Sequence, residues 1–162
     1  MNTLVIYDSF FGNTEQLAVA MARSLMVYGP SRSAHVNETP YTHLRDVDLL
    51  ILGCPTQTLN LTSDMKLWLQ RAPVDALRGP RVACFDTRLR TPLWLGRRAA
   101  SLLARYLRRR GVTLVVPPEG FYIRDRERRL ERGEVERAVA WALRVGELAR
   151  EPDPIPPDTS PA

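Results

Sequence analysis

Lysine is almost absent from this chain: 22 of its 23 basic residues are arginine and only Lys66 is not, a bias of the kind a GC-rich genome produces. Cysteine is scarce as well. Cys54 and Cys84 sit inside apolar strand-like runs, form no C-x-x-C pair and stand far in sequence from His35 and His43, which argues against a disulfide framework and a structural zinc site. No apolar run reaches the ~18 residues of a spanning helix. Met1 leads straight into a strand-like segment without the basic and apolar regions of a signal peptide, so a cytoplasmic location is expected. Also missing are G-x-G-x-x-G, G-x-x-x-x-G-K and G-x-S-x-G, the minimal parts of dinucleotide, P-loop and serine-hydrolase sites.

What is present is enough for one folded unit. The 162 residues are 44% hydrophobic and 25% charged, a balance that buries a single core and excludes a disordered or fibrous chain. Thr3-Leu-Val-Ile-Tyr7 and Asp48-Leu-Leu-Ile-Leu-Gly-Cys54 are apolar without alternation, the pattern of strands covered on both faces of a parallel sheet. Arg81-Val-Ala-Cys-Phe85 and residues 113–116 read the same way, with Pro117-Pro118 stopping the latter and residues 120–123 extending it or pairing locally, and a weaker strand is expected around residues 34–36. Between them lie helical patterns. One starts at Asn13 or Thr14, carries Leu17, Ala18, Met21 and Leu25 and is ended by Gly29-Pro30; another is capped by Thr62 or Ser63; a third has Leu95, Ala99, Leu102, Leu103, Tyr106 and Leu107 on one face with arginines on the other; the last runs from Glu134 to about Arg150. The domain is expected to span residues 1–150, and residues 151–162, rich in proline, are expected to form a disordered tail. Strands alternating with helices imply an α/β doubly wound parallel sheet. Such sheets bind ligands at the carboxyl ends of the strands, near the switch in strand order, here the loops after Tyr7, Cys54 and Phe85.

The first of these loops, Asp8-Ser-Phe-Phe-Gly-Asn-Thr14, joins a strand to a helix N-terminus, where unpaired backbone N–H groups and the helix dipole favour an anion. Ser9, Asn13 and Thr14 add neutral donors, and Gly12 allows close backbone approach. Without Lys or Arg, the loop suits a phosphate monoester better than a triphosphate with magnesium. Two sharper motifs fail. Cys84 and Arg90 fit a C-x5-R phosphatase spacing, but the intervening loop has no glycine and sets Asp86 against the anion. A receiver domain would need an Asp where the strand ends in Cys54.

Tyr7-Asp-Ser-Phe-Phe-Gly-Asn-Thr-Glu15 resembles the FMN phosphate loop of the flavodoxin family, and residues 48–56 are similar to that family's third strand with its Gly-Ser-Pro-Thr type turn. The resemblance implies a five-stranded parallel sheet in the order 2-1-3-4-5 and FMN as cofactor. It places the phosphate on Ser9, Phe10, Phe11, Gly12, Asn13 and Thr14. The ring falls between Pro55, Thr56, Gln57, Thr58, Leu59 and Asn60 on one side and Thr87, Arg88 and Trp94 in the loop after the fourth strand on the other. There are departures. Residues 56–62 hold no glycine, the residue whose peptide flips toward the reduced ring in many flavodoxins, and Cys54 replaces a small hydroxyl residue. The third loop has no tyrosine, with Trp94 its nearest aromatic. The isoelectric point near 9.8 is unlike that of the acidic electron carriers.

The implied function is electron transfer between a reductase or NAD(P)H and an acceptor, with an NAD(P)H-dependent quinone reductase and a flavin-free interaction domain with a basic face as the alternatives. That face comes from residues 88–110, which hold eight arginines, Arg88 to Arg110, and no acid. An acidic redox partner protein is the expected counterpart, with an anionic membrane surface second. Sparse aromatic interleaving argues against nucleic acid. Residues 124–137 alternate six arginines with five acids and read as self-compensating. Oligomeric state is not encoded in any of these features.

Overall fold

The computed structural model describes residues 1–56, 60–90, 98–124 and 128–151. Five parallel strands, β1 (Thr3–Tyr7), β2 (Ser31–His35), β3 (Leu49–Pro55), β4 (Arg81–Leu89) and β5 (Glu119–Ile123), form one sheet in the order β2-β1-β3-β4-β5. Every residue of β1 is buried because successive side chains feed two separate cores. Leu4 and Ile6 pack into one and Val5 and Tyr7 into the other. Helices α1 (Asn13–Leu25) and α5 (Glu134–Arg150) close the second core, while α2 (Ser63–Arg71), the single-turn α3 (Val74–Arg78) and α4 (Ala99–Arg109) close the first.

The centre of the sheet is tightly fitted. Phe85 of β4 meets Phe121 and Trp141 edge-on, with ring centroids 6.0 and 6.3 Å apart, an arrangement worth about 0.5–1.5 kcal/mol per pair beyond area burial. Its ring lies where a side chain on Gly53 of β3 would stand. Pairing register sets Tyr7 beside Gly53 and Cys54 beside Asp86, so Asp8, Cys54 and Asp86 follow one another across the carboxyl edge.

Several expectations from the sequence are corrected. The second strand is Ser31–His35 and not residues 34–36, and α1 gives way after Leu25 to a 3-10 turn, Met26–Tyr28. β4 continues four residues past Phe85, so Asp86, Thr87 and Arg88 belong to a strand and not to a loop. The last strand is Glu119–Ile123. Residues 113–116 contribute only a bridge from Leu114 to Val82, since Pro117 and Pro118 have no N–H for the ladder and divide the edge. Residues 152–162 of the expected tail, together with Gln57, Thr58, Leu59 and Trp94, fall outside the described residues; Glu151 is the C-cap of α5.

Candidate functional site

The site is built where β1, β3 and β4 end. β1 hands over to α1 through Gly12, which adopts φ 79°, ψ −8° as the N-cap, and no side chain caps the helix. Glycine alone takes this left-handed turn without strain, and a Cβ built there would meet nothing within 4 Å. The first-turn N–H groups of Asn13, Thr14 and Glu15 therefore face outward from an open cradle. Ser9 adds a buried hydroxyl with no partner, a donor held in readiness at the same loop. Phe10 and Phe11 are exposed at its lip.

The other side chains of the loop hold it in place. Thr14 Oγ1 lies 2.9 Å from Thr87 Oγ1, both buried. Thr87 carbonyl accepts from Thr56 N–H at 2.8 Å, and Thr56 Oγ1 accepts from Ala99 N–H at 3.0 Å. Three hydrogen bonds thus link the α1 loop, the end of β4, the end of β3 and the start of α4. Asn13 turns the other way, its Nδ2 donating to Arg128 carbonyl at 2.8 Å. Arg128 stacks its guanidinium over Phe11, 4.5 Å from the ring centroid, and so brings a cation beside a loop that has none of its own. A cavity of about 670 Å³ lies between Gly12, Arg128, Arg129 and Gly133.

Of the residues expected near the ring, Pro55 and Thr56 stand half-buried at the end of β3 and Asn60 is exposed. Thr87 is buried against Thr14, and Arg88 is turned inward, with its side chain 10% exposed. The structure thus gathers Ser9, Gly12, Asn13, Thr14, Thr56 and Thr87 at one edge and leaves Arg88 beneath it.

Three groups that the sequence reading did not assign to the site lie under the same edge. Asp8 is buried at the end of β1, with Oδ1 3.4 Å from His35 Nε2 and Oδ2 unpartnered. His35 Nδ1 accepts from Asn37 N–H at 3.3 Å, so Nε2 carries the proton that faces Asp8. Asp86 is fully buried; its Oδ2 accepts from Ala100 N–H at 2.9 Å and so caps α4 from a neighbouring strand. Its Oδ1 is 3.2 Å from Arg88 Nε without hydrogen-bond alignment, an ion pair only. Burial raises the Asp86 pKa, and Arg88 opposes the rise. A charged residue ending an apolar strand run was the signal available in the sequence. Burial likewise pushes up the thiol of Cys54 and holds it protonated, with the Thr62 backbone pulling the other way. Among the described residues no cluster of His, Cys, Asp and Glu could hold a metal ion, and no helix is long and apolar enough to cross a membrane.

No protein-family model and no curated protein sequence matches this chain. Solved structures do. A flavodoxin from the domain Archaea superposes with a TM-score of 0.78 at 16% identity, covering 93% of this chain and 100% of its own. A flavodoxin, WrbA-like protein from Agrobacterium tumefaciens gives 0.74 at 20% identity, covering 92% and 97%. The flavodiiron protein from Giardia intestinalis gives 0.74 at 16% identity over 91% of this chain but only 36% of the larger protein. With the strand order and the loop geometry, these similarities identify the architecture: the chain has the flavodoxin-like fold.

Proposed function

We propose that the protein binds FMN noncovalently at the carboxyl edge of its sheet and passes electrons between a reductase or NAD(P)H and an acceptor. The observation that carries this reading is the uncapped α1 N-terminus, where Gly12 in a left-handed turn, outward first-turn N–H groups and the buried, unpartnered Ser9 hydroxyl form a cradle for a phosphate monoester. That cradle sits between β1 and β3, where the strand order reverses, the usual ligand position of such sheets. FMN would supply the redox chemistry when bound.

The chain's own contribution is binding and orientation. Backbone N–H groups of residues 13–15 and the Ser9 hydroxyl hold the phosphate, with the Arg128 guanidinium nearby as a counter-charge. The hydrogen bonds from Thr14 through Thr87 to Thr56 tie the α1 N-terminus to the ends of β3 and β4, the two strand ends that would flank the ring. The test is direct. Flavin released from purified protein by acid should be FMN, and the stripped protein should quench FMN fluorescence stoichiometrically on reloading; a protein that takes up no flavin contradicts the reading. Steady-state reduction of quinones by NAD(P)H would assign it to quinone reductases and not to electron carriers.

A further inference from the structure

The eight arginines of residues 88–110 do not act together. Arg88 is buried against Asp86. Arg90 makes a forked pair with Glu131, at 2.8 Å from Nη2 to Oε2, and stacks over Tyr122. Arg110 donates to the carbonyls of Leu69 and Ala72 and covers the Tyr106 ring. Arg97 lies outside the described residues. What remains is Arg98, Arg105, Arg108 and Arg109. None of these four has an ion-pair partner among the described residues, although Arg98 acts on Asp86 at longer range. With Ser101, and with Leu102, which the sequence reading set on the apolar face and the structure places among the arginines, they line one continuous concavity of about 420 Å³ along α4. The spacing 98, 101, 102, 105, 108, 109 is one helical face, about 16 Å long at 1.5 Å per residue. Arg98 sits at the N-cap of α4, where the helix dipole disfavours a cation. In the isolated fold its long-range attraction to Asp86 works against that cost.

We infer that this face of α4 docks an acidic protein, with carboxylates meeting Arg98, Arg105, Arg108 and Arg109 around a contact on Leu102. The surface separates this partner from other anions. Four arginines spread over about 16 Å of one helical face fit an extended acidic surface better than a small phosphate compound. The stripe offers no stacking platform for bases, since Tyr106 is turned to Leu69 carbonyl and covered by Arg110. Leu102 is half-buried and no large apolar side chain of the stripe is exposed, so nothing would insert into a membrane. The Arg98 end of the stripe adjoins Ala99, which Thr56 ties to the end of β3; a docked partner therefore lies beside the carboxyl edge. The inference stands on α4 and does not depend on flavin.

The probe is a fluorescein-labelled, glutamate-rich helical peptide of about 15 residues, long enough to span the stripe, followed by fluorescence anisotropy in low salt. Arg105→Gln, Arg108→Gln and Arg109→Gln together should weaken it at least about tenfold, as three exposed ion pairs would. The charge-matched control Arg23→Gln, Arg45→Gln, Arg71→Gln should change it by less than about threefold. A glutamine version of the peptide should not bind. Equal losses in both triple variants would reduce the effect to net charge and overturn the proposal. So would tighter stripe-dependent binding of oligothymidylate or of phosphatidylserine vesicles, or displacement of the peptide by inorganic pyrophosphate at concentrations too low to change ionic strength.

Discussion

Replacing Thr14 by valine tests whether the phosphate loop is held by the sheet. Thr14 and Thr87 are 1% and 2% exposed and share one hydroxyl–hydroxyl bond of 2.9 Å across 73 residues of sequence. Valine keeps the shape and the β-branch, so Thr14→Val removes the bond and leaves the Thr87 hydroxyl buried without that partner. Orphaning such a group costs about 1–3 kcal/mol, which for a domain of this size is a fall in Tm of roughly 2–4 °C per kcal/mol. Thr87→Val should cost about the same for the mirrored reason. In the double variant both polar groups are gone and an apolar contact of the same volume replaces them, which is close to neutral. Urea denaturation of the four proteins should therefore show strong non-additivity, with a coupling of about 1 kcal/mol or more. If the two single costs simply add, within the ~0.3–0.5 kcal/mol expected of independent sites, the hydroxyls do not hold each other and the loop is anchored by something else. FMN affinity adds a second readout: the double variant should retain the cradle and bind FMN more weakly than wild type but more tightly than either single variant.

Two further outcomes follow from buried groups. Asp86 has a folded pKa raised by desolvation, so the native state holds its proton more tightly than the unfolded chain and stability falls as pH rises from the ordinary Asp value through the raised one. Asp86→Asn keeps an acceptor for Ala100 N–H and removes this titration; the stability of wild type relative to that variant should decline as pH rises above the ordinary Asp range, and a constant difference would contradict the assignment. Cys54 and Cys84 are fully buried with thiols held protonated chiefly by desolvation, so a thiol-reactive chromophore should label neither in the native protein and both after unfolding. Fast native labelling of either would show that the cores open there.

Much of this was legible in the sequence because the informative segments are local. Residues 3–7 form the strand that their unbroken apolar run predicts, and Thr62 caps α2 with its hydroxyl accepting from Met65 N–H as its position implies. The glycine turn before Asn13 marks the start of α1 and the open cradle together. The end of β4 was not legible, since Asp86-Thr-Arg reads as a polar loop. Its residues stay in a strand because their partners come from distant segments: Ala100 N–H for Asp86, Thr14 for Thr87, and Gly120, whose missing side chain leaves room for the Arg88 guanidinium. β5 was misplaced for a related reason. Two apolar segments flank Pro117-Pro118, and only the ladder with residues 85–89 selects the second. The sorting of arginines into paired and unpaired groups likewise depends on contacts across the fold, such as Arg90 with Glu131, that no local pattern encodes. Arg128 approaches the phosphate loop from such a distant segment.

The central claim is that the α1 N-terminus is a phosphate cradle, and the affinity ratio of FMN to riboflavin measures it most directly. The two ligands share ring and side chain and differ only in the phosphate. Two or more charge-assisted hydrogen bonds at about 1.5–3 kcal/mol each predict that the stripped protein binds FMN at least about 100-fold more tightly than riboflavin in a fluorescence-quenching titration. Equal affinity for the two would contradict the account, because a loop that gains nothing from the phosphate is only the start of a helix.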